Sequence, residues 1–164
     1  MNTGKKLTYT ATSYDQILNK KQGSFVTLTI SGNLRGCIGS ILPVRPLIED
    51  VIDNSFNAAF EDPRFFPLSK EELKIIDIEI SVLTVPEKLI YKSENELFQK
   101  LRPLVDGVIV RKNIHQATYL PQVWEQLPDK EMFLNELCLK AGLPLYSYKC
   151  EDFDIYTYQV EIIK

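Results

Sequence analysis

Residues 24–40 read SFVTLTISGNLRGCIGS, and little besides a β-hairpin accommodates that pattern. Phe25, Thr27 and Thr29 alternate with Val26, Leu28 and Ile30, a period of two rich in β-branched side chains, which predicts a strand. SGN turns the chain, because Gly32 and Asn33 are residue types that tolerate a positive φ, and LRGCIGSI returns beside the first strand. Glycine inside a strand marks a bulge or a close backbone approach. Where the strand is unbroken, residues two apart share a face, so Arg35 and Cys37 point one way and Leu34 and Ile38 the other.

Helical spacing takes over after Pro46, where Leu47, Ile48, Val51, Ile52, Ser55, Ala58 and Ala59 mark an amphipathic helix that DPRFFPL breaks at Pro63 and Pro67. Ser69 with Glu72, and Ser93 with Glu96, have the spacing of capping boxes and predict two further helix starts. IIDIEISVLTVPE predicts a strand with Ile76, Ile78, Ile80 and Val82 on a buried face and Asp77, Glu79 and Ser81 on a polar one. DGVIVRK and ATYLPQV read as strands joined by the loop NIHQ. KEMFLNELCLKAGL reads as a helix closed by Gly142, and FDIYTYQVEII as one last strand. Strand pairs interrupted by helices, without regular β-helix-β alternation, specify an α+β fold with a mainly antiparallel sheet flanked by helices.

A chain of 164 residues that is 45% hydrophobic supports one ordinary core without disulfides or metals, so a single domain is expected. The net charge of -3 offers no basic footprint for a phosphate backbone, and lysines 5, 6, 20 and 21 are isolated support for nucleic-acid binding. No apolar run approaches the ~20 residues of a membrane helix, and the first residues lack the apolar segment of a signal peptide, which points to the cytoplasm. Cys37, Cys138 and Cys150 are widely spaced with no C-x-x-C pair, so free thiols are expected. With one histidine, a multi-histidine metal site cannot come from a single chain, and no cofactor motif is present.

Each chemical candidate carries two readings. Cys37 is either a thiolate nucleophile stabilised by Arg35 or a small buried filler. His115 is either the general base for Cys37 or an exposed ring in a polar loop. Glu79 either brings a carboxylate to a cleft or faces water. Asp62 and Arg64 flank a proline and either clamp each other or hold a ligand carboxylate. The Gln122 amide, following Pro121, serves either a neighbouring chain or a ligand. Trp124 and Cys138 read as packing residues.

GSFVTLTISGNLRGCIGSI, AAFEDPRFFPLSKEEL, IDIEISVLTVPE, ATYLPQVWE and FLNELCLKAGLP occur in this order, and together they resemble the AMMECR1 domain, including the bacterial and archaeal members called protein A of the AmmeMemoRadiSam system. LRGCIG is the hexapeptide that identifies the family. The resemblance implies a larger and a smaller subdomain, with Leu34, Arg35, Gly36, Cys37, Ile38 and Gly39 lining the cleft between them. It also implies association with a Memo-type protein and a radical S-adenosylmethionine enzyme, and no assigned reaction. The leading helix of many relatives reads as short or absent here, which would leave an apolar patch for a partner or a homo-oligomer contact. Two functions follow as expectations: a binding or accessory component acting through Arg35 and the glycine-bearing strand, or a thiol-dependent enzyme using Cys37 with Arg35.

Overall fold

Strand β1 (Ser24–Ile30) pairs antiparallel with β2 (Asn33–Ser40), the hairpin that the alternation predicts. The computed structural model describes residue 7 and residues 16–164. The hairpin turns on Ser31 and Gly32, which both adopt positive φ (50° and 78°), while Asn33 begins the return strand. That is a correction of one position: two successive left-handed residues match the strand twist, and Ser31 takes the first place.

A second correction concerns faces. Register runs Thr27 to Cys37, Leu28 to Gly36, then Thr29 to Leu34, so Arg35 is the extra residue of a β-bulge. Gly36 and Leu28 lie on the face that packs on helix α1 (Leu47–Phe60), whereas Cys37 and Thr27 lie on the other. One extra residue resets the alternation, and Arg35 and Cys37 go to different partners.

The hairpin belongs to a four-stranded sheet in the order β2-β1-β3-β8, with β3 at Asp77–Leu83 and β8 at Val160–Ile163. Val26, Leu28 and Ala58 form its core with Ile38, Val51, Ile76 and Ile80 against them. The start of α1 is tied to both ends of the hairpin by Asp50, which accepts from Ser24 N and Oγ (2.9 and 2.7 Å), Arg45 Nε (2.8 Å), Asn54 Nδ2 (2.8 Å) and Ser40 Oγ. Asp50 is fully buried, and five donors satisfy it. Strand β3 departs from its expected alternation: Ile78 is half exposed, while Ser81, Val82 and Leu83 are all buried. Its last turn of chain is covered on both faces, so polarity there no longer reports side.

The chain divides into two compact units, residues up to Val85 with Glu161–Lys164, and Pro86–Val160. The second holds a sheet in the order β4-β7-β5-β6, with β4 (Glu87–Lys88), β5 (Gly107–Lys112), β6 (His115–Tyr119) and β7 (Asp154–Tyr158), and helices α2 (Glu94–Lys100) and α3 (Lys130–Lys140). Ser93 Oγ caps α2 by accepting Glu96 N at 3.2 Å, as its spacing predicts. Trp124 is buried, stacked on Phe133 at 3.5 Å and donating to Asp106 O at 2.7 Å, and Cys138 is fully buried, so both are core residues.

Three sequence expectations are revised in this unit. His115 opens β6 instead of lying in a loop, and the turn is Asn113–Ile114, with Asn113 at φ 55°. PQVWE is a 3-10 helix (Pro121–Glu125), because proline lacks the N–H a ladder needs and presets φ for a helical start. FDIYTYQVEII divides at Gln159, with β7 in one sheet and β8 in the other. The leading segment, apart from residue 7 and the 3-10 turn Gln16–Asn19, lies outside the described residues, and with it the question of a leading helix.

Candidate functional site

β2 is an edge strand, so every second residue presents its N–H and C=O away from β1. At Cys37 those two groups are met by side chains. Asp62 Oδ2 accepts Cys37 N at 2.9 Å, and Arg64 Nη2 donates to Cys37 O at 3.0 Å. Asp62 and Arg64 also bond each other, through Nε to Oδ1 at 2.9 Å and Nη2 to Oδ2 at 2.7 Å. The pair thus stands where a third strand would. The Asp-Pro turn builds this clamp: Arg64 N donates to Asp62 Oδ1 at 3.1 Å, Phe65 N to Asp62 O at 3.1 Å, and Leu68 N ties the loop back to Ala59 O at 2.8 Å.

The Asp62 side chain is 1% exposed and Arg64 is 53% exposed, so the carboxylate is buried while the guanidinium reaches solvent. The bond from Arg64 holds the Asp62 carboxyl well below the usual carboxylate range; burial opposes this, and Cys37 N–H adds to it. Arg64 is raised in turn, first by its bond to Asp62, with the Cys37 thiol contributing. Cys37 itself is half-buried, and Thr27 Oγ1 donates to its Sγ at 3.4 Å. The guanidinium bonded at Cys37, through its carbonyl, is therefore that of Arg64, not Arg35.

Arg35 is occupied elsewhere. Its Nε and Nη2 make a two-pronged pair with Glu72 at 2.7 and 3.1 Å, and Nη2 also donates to Phe66 O at 2.9 Å. Glu72 is pulled down to about 2, chiefly by Arg35, with Ser69 N–H adding. Ser69 and Glu72 form the expected capping box, in which Ser69 N donates to Glu72 Oε2 at 2.8 Å and Glu72 N to Ser69 Oγ at 3.2 Å. One carboxylate therefore both closes a turn and anchors the guanidinium. The Phe65 ring lies 5.8 Å from the Arg35 guanidinium carbon and 5.5 Å from that of Arg64, so both cations border one aromatic ring. The neighbouring Phe66 is 90% exposed.

The two inner glycines serve packing. A Cβ on Gly36 would sit 2.2 Å from Ala58 O in α1, and one on Gly39 would sit 2.3 Å from the Phe25 ring. Ile38 joins the core and Leu34 is exposed.

Glu79 lies on the Cys37 face, opposite Thr27 in the register, but two strands from β2, a separation of about 10 Å across the sheet. It pairs with Lys164 at 3.1 Å. His115 belongs to the second unit, where Nδ1 lies 3.1 Å from Ala141 O. A carbonyl only accepts, so Nδ1 carries the hydrogen. Gln122 is also in the second unit, half-buried, with Oε1 buried and unbonded among the described residues. The structure thus brings Cys37, Asp62 and Arg64 together, and gives Glu79 and His115 partners other than the sulfur. Sequence reading missed Thr27, Glu72 and the Phe65–Phe66 loop as parts of this arrangement. The signal for Thr27 was its register opposite Cys37, and for Glu72 its capping-box spacing. Among the described residues no group of three His, Cys, Asp or Glu gathers as metal ligands, and no helix is long and apolar enough to cross a membrane.

The AMMECR1 family model matches residues 1–163. A protein of Methanothermobacter thermautotrophicus is 43% identical over 147 residues, covering 89% of this chain and 77% of that one. A protein of Methanocaldococcus jannaschii is 38% identical over 164 residues, covering 98% and 81%. The crystal structure of an uncharacterized protein from Pyrococcus horikoshii superposes with a TM-score of 0.87 at 38% identity, covering 98% of this chain and 81% of that one. Matched by the family model over residues 1–163 and by a solved structure over 98% of its length, the chain belongs to the AMMECR1 family.

Proposed function

We propose that this protein is a binding component whose contact surface is the strand of residues 34–39 and the Phe66 loop, working with a Memo-type protein and a radical S-adenosylmethionine enzyme, the partners that the family resemblance implies. The observation that carries this reading is Phe66. Its ring is 90% exposed while its own carbonyl is fixed by Arg35. An aromatic held out on an anchored backbone loses little freedom on binding, which is the character of an interface hot spot. Leu34, also exposed, adds apolar surface on the strand itself. Arg35 acts in this reading through the loop it holds. The test is titration of the purified Memo-type and radical enzymes against the intact chain. Phe66→Ala is expected to weaken one of them about tenfold or more, and Cys37→Ser to leave affinity unchanged. Wild-type affinity in Phe66→Ala overturns the reading.

A second reading, thiol-dependent chemistry at Cys37, is favoured by one observation: a half-buried sulfur receives the Thr27 hydroxyl at 3.4 Å beside the Arg64 guanidinium. The thiolate is the nucleophilic form of a cysteine. In a Cys150→Ser background, iodoacetamide should label Cys37 faster than a model thiol at neutral pH, and Arg64→Gln should slow it. Labelling no faster than the model thiol removes the reading.

A further inference from the structure

The second unit contains a cavity of about 470 Å³ whose two walls are residues 88–94 and 148–154. Leu89, Ile90 and Tyr91 give the first wall apolar surface, Ile90 being exposed, while Tyr148 and Phe153 in the second are buried core residues. Six charged side chains line it, Lys88, Lys92 and Lys149 against Glu94, Glu151 and Asp154, so the lining is neutral. Four of these neutralise one another: Lys88 bonds Asp154 at 2.6 Å and Lys149 bonds Glu94 at 3.0 Å. Among the described residues Lys92 and Glu151 form no ion pair, and they stand on opposite walls.

That distribution selects a ligand class. A simple anion or cation would call for a surplus of one sign, and a neutral apolar molecule would gain nothing from two unpaired charges. The volume falls in the range of small-molecule sites. The second wall is also preset. Tyr146, just before it, adopts φ 62°, a left-handed conformation unusual for a tyrosine, with its N–H donated to Asn135 Oδ1 at 2.8 Å. The turn that follows carries Tyr148 and Lys149 to the cavity, and Lys149 Nζ rests 4.8 Å from the Tyr146 ring centre. We propose that this cavity binds a small zwitterion of amino-acid or dipeptide size, its carboxylate on Lys92, its ammonium on Glu151 and its apolar part against Ile90.

The test is calorimetric titration of the full chain with L-phenylalanine and glycyl-L-phenylalanine, set against N-acetyl-phenylalanine, phenylalanine amide and inorganic phosphate. One of the two zwitterions should bind saturably, and the analogues lacking either charge about tenfold more weakly. Lys92→Gln should erase the preference for the free carboxylate, and Glu151→Gln the preference for the free ammonium. Both residues are exposed, so the variants should melt as the parent does. No saturable binding of either zwitterion up to millimolar concentration, tighter binding of phosphate, or preferences that survive both substitutions each overturn the assignment.

Discussion

Gly36→Ala tests whether the first glycine of the hexapeptide is a packing residue. The added methyl would lie 2.2 Å from Ala58 O and 3.1 Å from Ala58 C, and both are backbone atoms that no rotamer change can move. Ordinary contact begins near 3.4 Å, so strand and helix must part by about 1.2 Å. Neither gives way easily. The start of α1 is held by the five donors on Asp50, and its last turn by Leu68 N on Ala59 O. Overpacking a fixed backbone contact of this kind costs about 3 kcal/mol. For a chain of this length that lowers the melting temperature by roughly 6–12 °C. Gly32→Ala is the control: Gly32 has φ 78° with nothing within 4 Å of its Cβ position, so only conformational strain of about 1 kcal/mol applies. Thermal and urea unfolding followed by circular dichroism would compare them. If Gly36→Ala costs no more than Gly32→Ala, close approach to α1 does not explain this glycine.

Asp62→Asn replaces a buried carboxylate that serves Cys37 N and Arg64 together, and should cost about 2 kcal/mol by urea unfolding, with faster amide exchange at Cys37. Glu72 has a folded pKa of about 2, below its ordinary 4.5, so its contribution to stability is complete above about 4.5 and is lost as pH falls towards about 2. Asp62, displaced in the same direction, loses its contribution at the acid end as well. Stability should therefore fall below pH 4.5, and Glu72→Gln should flatten part of that slope; an unchanged slope contradicts the assignment. Arg35→Lys keeps the charge but removes the two-pronged geometry on Glu72 and the bond to Phe66 O, and hydrogen exchange should rise across residues 61–72 while β1 stays protected.

The hairpin, α1, α3 and both capping boxes were legible in the sequence because each rests on local periodicity or a side chain reaching three residues along. What escaped was settled by contacts distant in sequence. No local pattern marks Arg35 as a bulge, since the extra residue exists only relative to the register of β1. The break at Gln159 is of the same kind: YTYQVEII alternates without interruption, and only the two separate sheets divide it. Ile78 and Ser81 exchanged their expected environments because burial along β3 depends on what covers each end of the sheet, and alternation encodes side only where one face is open. Asp62 and Arg64 were recognised as a pair that could clamp each other, but that they close the edge of β2 at Cys37 depends on contacts across 25 and 27 residues.

The hexapeptide now separates into residues that build the strand and residues that reach beyond it. Gly36 admits α1, Gly39 admits the Phe25 ring, and Ile38 fills the core. Arg35 leaves the ladder through the bulge and places Nε and Nη2 on Glu72 and Phe66 O, while its buried Nη1 has no partner among the described residues. Gly36, Gly39 and Ile38 are constrained by packing, whatever the strand binds. Leu34, exposed, and Cys37, half-buried, remain to present side chains to a ligand, and Arg35 keeps one unpaired donor. The arginine and glycines that draw attention in LRGCIG thus fix the geometry of their neighbours, and Arg64, outside the motif, supplies the cation bonded to the Cys37 carbonyl. A substitution series that treats all six residues as equivalent would therefore confuse loss of fold with loss of function. Leu34→Ala, Cys37→Ser and Arg64→Gln leave the bulge and the glycine contacts in place, and a functional defect in any of them with unfolding unchanged would report on the surface itself.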